Sequence, residues 1–244
     1  MRRLSFLVAF AALAFTLPVL AAPNAPRSNL GVITDVKLPS SIWNMPFTDS
    51  NGVTRTFGQL KGTTLLVPFL TLCPDVCPFT TGNAIQTARR LEASGATNVR
   101  VIEVTVDPQR DSVARLSNYR RMVGLRSSDI AISFWRTNSK NTRTMMKFFG
   151  MTTEKLPIDA VHRDWMTNKP ISYELDHSDG FYVITDRQKL RFVSGLSARF
   201  VGKLTRAMKS YLNEEGLNTL AHPSTGWTPK DAVDTLTYIS QSHG

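Results

Sequence analysis

An apolar run from Thr64 to Leu72 carries the chain straight into Cys73-Pro-Asp-Val-Cys77-Pro78, and a helical pattern begins directly beyond it. A buried strand that turns at once into a helix is a strong constraint, because the helix must fold back onto the sheet that holds the strand. The turn contains both cysteines of the 244-residue chain. Cys77 falls near the helix N-terminus, where unpaired N–H groups and the helix dipole favour thiolate over thiol. A Cys-x-x-x-Cys loop removes little entropy from the unfolded chain, so as a structural bridge it would be a poor staple. The pair is therefore read as redox-active or metal-binding.

The N-terminus sets the compartment. Arg2 and Arg3 precede an apolar stretch from Leu4 to Leu20, and Val19-Leu20-Ala21 fits a small-residue cleavage site. This predicts an export signal over residues 1–21, with an uncleaved anchor as the alternative. No cysteine adjoins the site, which excludes a lipid-modified end. No later stretch is long and apolar enough to span a bilayer. The expected location is periplasmic or on the outer face of the inner membrane, where disulfides persist. The formal charge of +10 becomes +8 without the two leader arginines. The excess is scattered and lacks the aromatic-interleaved basic stripe of a nucleic-acid binder. It fits a solvated basic face, with attraction to an acidic partner or an anionic membrane surface as the other use.

Residues 22–35, rich in Pro, Asn and Ser, are expected to form a flexible tether, with order starting near Val36. The turn chemistry of Phe47 to Gly52 predicts an N-terminal hairpin. Ala84, Ile85, Ala88 and Leu91 mark one face of a helix that stops at Gly95. Strands are expected at Val99–Val106 and Ile130–Trp135, with helices ending at Met122 and Phe149. Residues 151–176 read as a loop-rich insertion with local hairpin pairing. Phe181–Thr185 and Leu190–Val193 form a hairpin, and a helix from Ala198 to Asn213 closes the core. Residues 36–215 thus make an α/β domain, a thioredoxin-like mixed sheet flanked by helices. A C-terminal extension, 216–244, holds a helix started by Thr228-Pro229.

Three blocks in order, Cys73-Pro-Asp-Val-Cys77-Pro78, Val104-Thr-Val-Asp-Pro-Gln-Arg-Asp111 and Asp176-His177-Ser178, resemble those of the Sco (SenC) family, which handles copper for cytochrome c oxidase. The resemblance covers roughly residues 45–215. The strand before the cysteines and the insertion before His177 depart from the family's pattern. The resemblance implies a metal site of Cys73, Cys77 and His177. Thiolate selects Cu(I) and imidazole also suits Cu(II). A structural zinc site would want four protein ligands. It further implies a chaperone, rather than an enzyme, that takes copper from a donor protein and passes it to the CuA site of oxidase subunit II or a similar acceptor.

Other readings stand beside it. A thiol-disulfide oxidoreductase would use Cys73 as nucleophile and Cys77 as resolving thiol, without needing His177. A peroxidase is a weak third, since Val67-Pro-Phe-Leu-Thr-Leu-Cys73 only loosely echoes the required motif. His162, His222 and His243 are expected on the surface and the methionines in the core. Asp107 and Asp111 are expected to cap the next helix, and Asp176 is a candidate for orienting the His177 ring. Asp75 would shape the turn or tune the thiols.

Overall fold

The computed structural model describes residues 25–126, 129, 131–158, 162–223 and 225–242. The expected export signal and His243 lie outside these. In chain order the strands are β1 (Val32–Lys37), β2 (Phe47–Asp49), β3 (Thr54–Arg55), β4 (Thr63–Phe69), β5 (Val99–Thr105), β6 (Ile132–Arg136), β7 (Thr153–Leu156), β8 (Glu174–His177), β9 (Phe181–Thr185) and β10 (Lys189–Ser194). The helices are α1 (Ser40–Trp43), α2 (Cys77–Ala93), α3 (Val113–Met122), α4 (Ser139–Phe149), α5 (Arg206–Tyr211), α6 (Glu214–Ala221) and α7 (Pro229–Gln241). Eight strands form one mixed sheet in the order β1-β10-β9-β4-β5-β6-β2-β3, and β7 pairs with β8 in a separate ribbon.

The centre of the sheet follows from burial. All seven residues of β4 are buried, as a strand covered on both faces requires. It runs parallel to β5, which runs parallel to β6, while β9 flanks β4 in the antiparallel sense. Thr81 of α2 donates to Glu103 of β5, and the Tyr119 hydroxyl of α3 bonds Thr81 in turn. Ser240 of α7 bonds Thr63, whose register partner Val99 lies on that same face. Helix α4 covers the other face, with Phe149 against Tyr182.

One topological consequence sets the functional end of the molecule. Because β9 is antiparallel to β4, its first residues lie beside the last residues of β4, with Tyr182 opposite Leu66. Residues just before β9 therefore arrive where the chain leaves β4 for the cysteine turn. Gly180 makes this entry possible. Its φ is +114°, and a Cβ there would stand 1.9 Å from the Ser194 carbonyl oxygen.

Several expectations need correction. Order starts before Val36: Leu30 is buried, β1 pairs with β10, and the Arg27 guanidinium bonds Asp231 and the Gly226 carbonyl. The stretch expected to be tether is thus sheet from Val32. The helix expected from Ala198 to Asn213 is reduced to α5, capped by Thr205. The preceding chain is extended because its carbonyls are taken by α2 side chains: Asn83 Nδ2 bonds the Arg199 carbonyl and Gln86 Nε2 the Val201 carbonyl. Ala198 also bridges Trp227. Trp227, Leu236 and Ile239 belong to the main core. Thr228 does cap α7, in a reciprocal pair with Asp231.

The core contains one acid that hydrophobic alternation does not account for. Glu103 is fully buried, accepts a 3.0 Å bond from Thr81, and its Oε2 has no partner among the described residues. Burial pushes its pKa up to about 8, against the Thr81 bond. The folded state thus holds a proton that the unfolded chain releases near its ordinary carboxyl pKa. Stability from this group is fully present below that pKa and is lost as pH rises through about 8, with a slope of at most about 1.4 kcal/mol per pH unit. Urea unfolding between about pH 5 and 8 should show the wild type losing stability faster than Glu103→Gln. Parallel pH profiles for the two proteins would contradict this assignment.

Candidate metal centre

The cysteine turn is built on the α2 N-terminus. Val76, the residue before the helix, offers no capping side chain. The Cys77 N–H donates instead to Cys73 Sγ at 3.4 Å. Cys73 therefore takes the position where the helix dipole and a free N–H both favour negative charge. It is half-buried, whereas Cys77 is buried, and both are free thiols.

His177 ends β8, whose partner β7 pairs Thr153 with it. The ribbon delivers its imidazole to the turn, with Nε2 3.2 Å from Cys77 Sγ. Nδ1 lies 2.9 Å from the Ser178 carbonyl oxygen. A carbonyl only accepts, so Nδ1 carries the proton and Nε2 faces the sulfur as the other ring nitrogen. The expected orienting role of Asp176 is not what the structure shows. Its carboxylate accepts the His177 backbone N–H at 2.9 Å, and the Ser178 carbonyl holds the ring.

Charge in this cluster is unevenly shared. The Cys77 thiol hydrogen bond holds Cys73 well below the ordinary thiol range against its burial, and His177 adds to the effect. Burial first, and then the Cys73 charge, push Cys77 well up. The pair thus behaves as one thiolate on Cys73 and one thiol on Cys77. This revises the expectation that the helix would activate Cys77. Contact distance pairs the imidazole with Cys77, while the charge it feels is on Cys73; both hold because the three groups adjoin. Burial lowers His177, but the Cys73 hydrogen bond and charge outweigh it and leave the imidazole above its usual range.

Two acids rim the site. Asp75 is pushed up to about 7 by burial and then by the Cys73 charge, and its Oδ1 is buried without a partner among the described residues. Burial also raises Asp179, whose Oδ2 accepts from Ser197 at 2.7 Å. On the other side Pro74 is held through its carbonyl by the Asn213 N–H at 3.0 Å, at the start of α6.

The second sequence block turns out to be the bracket that aligns the two halves. Asp111 is fully buried and does not cap α3; Ser112 does. Asp111 instead accepts the Thr71 hydroxyl and N–H, and the Thr105 hydroxyl, fixing the chain just before Cys73 to the end of β5. Asp107 pairs with Arg110 and accepts the Tyr173 hydroxyl at 3.2 Å. Arg110 donates to the Tyr173 carbonyl at 2.7 Å and lies 3.8 Å from the centre of its ring. Tyr173 immediately precedes the strand that ends in His177. The insertion contributes too: Trp165 Nε1 donates to the Thr71 carbonyl at 2.7 Å. Sequence reasoning missed Tyr173 and Trp165, although aromatic residues inside a loop-rich insertion hinted that it packs on something.

His162 is half-buried and bonds Glu174 of β8, so it buttresses the ribbon. His222 is exposed. Among the described residues, no three His, Cys, Asp or Glu side chains already stand as a cage for a metal ion. The imidazole and Cys77 are in direct contact instead of being spread around a shared centre.

The SCO1/SenC family model matches residues 42–212. The chain belongs to the SCO1/SenC family. That span takes in the cysteine turn, the Asp107–Asp111 block and His177, and stops before α6 and α7. Relatives of this SCO1/SenC chain include the mitochondrial SCO2 homologs of Bos taurus and Homo sapiens, 37% and 36% identical over 87 residues. The match covers 33% of this chain and 33% of each relative, so it spans about a third of their length. Solved structures that resemble it include apo Sco1 from Thermus thermophilus, with TM-score 0.55 and 17% identity, covering 91% of this chain and 98% of that one. Yeast Sco1 with copper bound gives 0.54 and 16%, covering 88% and 91%. BsSco, described with a disulfide switch and as a member of the Sco family of cytochrome c oxidase assembly proteins, gives 0.52 and 16%, covering 87% and 99%. At these identities the likeness is one of fold.

The charge asymmetry is directly testable. Iodoacetamide at neutral pH should alkylate reduced Cys73 at least about tenfold faster than Cys77, because the thiolate is the nucleophile. In His177→Ala the Cys73 rate just below neutrality should fall, since a positive neighbour is lost. Peptide mapping by mass reads both, and preferential labelling of Cys77 would refute the assignment.

Proposed function

We propose that this protein is an exported copper chaperone that binds one copper ion through Cys73, Cys77 and His177. It passes the ion by ligand exchange to the CuA site of cytochrome c oxidase subunit II or to a similar acceptor, after receiving it from a donor protein. The observation that carries this reading is the approach of His177 Nε2 to within 3.2 Å of Cys77 Sγ, from a ribbon separate from the main sheet. A simple dithiol enzyme has no need of that imidazole. Family membership and the copper-bound yeast relative support the choice of metal.

The donor set suits the cargo. Two sulfurs and one imidazole nitrogen match the softness of Cu(I), and the imidazole extends the site to Cu(II). Metal–sulfur and metal–nitrogen bonds of about 2.3 and 2.0 Å, as for zinc, would hold Sγ and Nε2 roughly 3.5–3.8 Å apart. A ribbon shift of about half an ångström from the 3.2 Å contact makes that room. Loading releases the Cys77 proton, so affinity rises with pH.

A second reading has its own support in the divided charge of the pair. As a thiol-disulfide oxidoreductase, Cys73 thiolate would attack one sulfur of an acceptor disulfide, expelling the other as thiolate. Cys77, losing its proton, would then attack Cys73 of the mixed disulfide. The acceptor leaves reduced and this chain oxidised. The expected export signal over residues 1–21 supports a location in the periplasm or at the membrane surface. Among the described residues no helix is long and apolar enough to cross a membrane.

Titration of reduced protein with Cu(I) and Cu(II) tests the proposal. His177→Ala should weaken Cu(II) binding by at least about tenfold and change its thiolate charge-transfer absorption, and Cys73→Ser should abolish both. Unchanged affinity in His177→Ala would sink the three-ligand site. Micromolar copper binding by wild type together with rapid reduction of a model disulfide would favour the oxidoreductase.

A further inference from the structure

The cysteines follow the C-terminal end of β4. From the opposite end of the sheet, where β5 and β6 begin, an open cleft of about 940 Å³ runs along β6 to Trp135, within the range of small-molecule sites. Its walls include Arg55, Leu60, Val99, Arg100, Ile132 and Trp135.

The donors and acceptors in this cleft do not balance. Its three carboxylates are already committed to the turns around it. Asp49 accepts the N–H groups of Asn51 and Val53 at 2.8 and 3.0 Å, and Arg55 at 2.7 Å. Glu92 accepts the Ala131 N–H at 3.1 Å, and Asp129 the Arg126 N–H at 2.7 Å. The donors are less well served. Arg100 spends Nη2 on the Lys61 carbonyl at 2.6 Å, and its Nε is buried with no acceptor among the described residues. The Trp135 indole N–H is also buried without one, on a side chain only 3% exposed. Burial and then the nearby Arg55 lower the Arg100 pKa, against the opposing pull of Asp186. Trp135 is fixed by stacking on Phe57 and tilting against Phe47. Buried donors without acceptors are uncommon in native structures, and here two, one of them on Arg100, line one cleft with Arg55.

We propose that this cleft binds a small organic oxyanion, a carboxylate or a phosphate ester. The charged group lies between Arg55 and Arg100, where guanidinium donors match its geometry, and its apolar part rests against Leu60 and the Trp135 ring, on the same face of the sheet as Arg100. The site is separate from the thiols and does not depend on the copper reading.

The probes are sodium benzoate and inorganic phosphate, titrated into the reduced protein with sodium chloride at matched ionic strength as the control. The readout is the indole N–H resonances in a nitrogen–proton correlation spectrum, with Trp135→Phe identifying the Trp135 signal. The Trp135 resonance should shift saturably with at least one oxyanion and beyond the chloride control. The Trp165 signal, bonded near the thiols, should stay put. Arg100→Gln should weaken binding at least about tenfold, as loss of a charged hydrogen-bonding partner does. Arg55→Gln, on a half-exposed hairpin side chain whose partner Asp49 keeps two backbone N–H donors, gives the same test at a second position. Tighter binding of benzoate assigns the carboxylate, and tighter binding of phosphate the phosphate ester. No shift beyond chloride, or full-strength binding in both arginine variants, would overturn the proposal.

Discussion

The carboxylate of Asp111 holds the functional end of the molecule together. It is buried and takes three donors, two from Thr71 and one from Thr105. Thr71 belongs to the exit from β4 and Thr105 is the last residue of β5, so one side chain ties the loop that leaves β4 to the end of its neighbouring strand. Burial pushes this acid up to about 6, and the hydroxyl donors keep its charge affordable in a dry environment. The cysteine turn is then rigid because its approach is rigid. Asp107 and Arg110, from the same short block, reach the other way and grip Tyr173. A single sequence block thereby sets the distance between the sulfurs and the imidazole.

Much of this was legible from the chain alone. The run into Cys73 predicted a buried strand, and β4 is one. The α2, β5, α4 and β9–β10 elements follow from periodicity and turn residues to within a residue or two, because local pattern and tertiary packing agree there. His177 was reachable only through resemblance to a family. Its place beside Cys77 is a product of antiparallel pairing between β9 and β4, which no local pattern encodes.

The misses share one physical cause. Asp before a helix usually signals a cap, yet Asp111 is drawn inward by two threonine hydroxyls and leaves the cap to Ser112. The segment after Ala198 has helical composition, but Asn83 and Gln86 take its carbonyls and hold it extended. Order from Val32 rather than Val36 comes from pairing with β10, again a long-range partner. In each case a side chain distant in sequence outbid the local preference. Glu103 is the same lesson inside the sheet, where alternation hides a buried acid.

The isolation of the β7–β8 ribbon has a kinetic meaning. Two strands outside the main sheet form a marginally stable unit by themselves, and the Tyr173 clamp, the His162–Glu174 contact, Leu175 packed against the main core, the His177–Cys77 contact and neighbouring turns steady it. Local opening of such a unit costs less than global unfolding. The imidazole thus sits on the less stable of the two units, while both sulfurs sit on the main sheet and helix. Of the three donor groups of the proposed site, one sits on this separate ribbon and two on the main sheet and helix, so the proposed release of copper would begin at the imidazole.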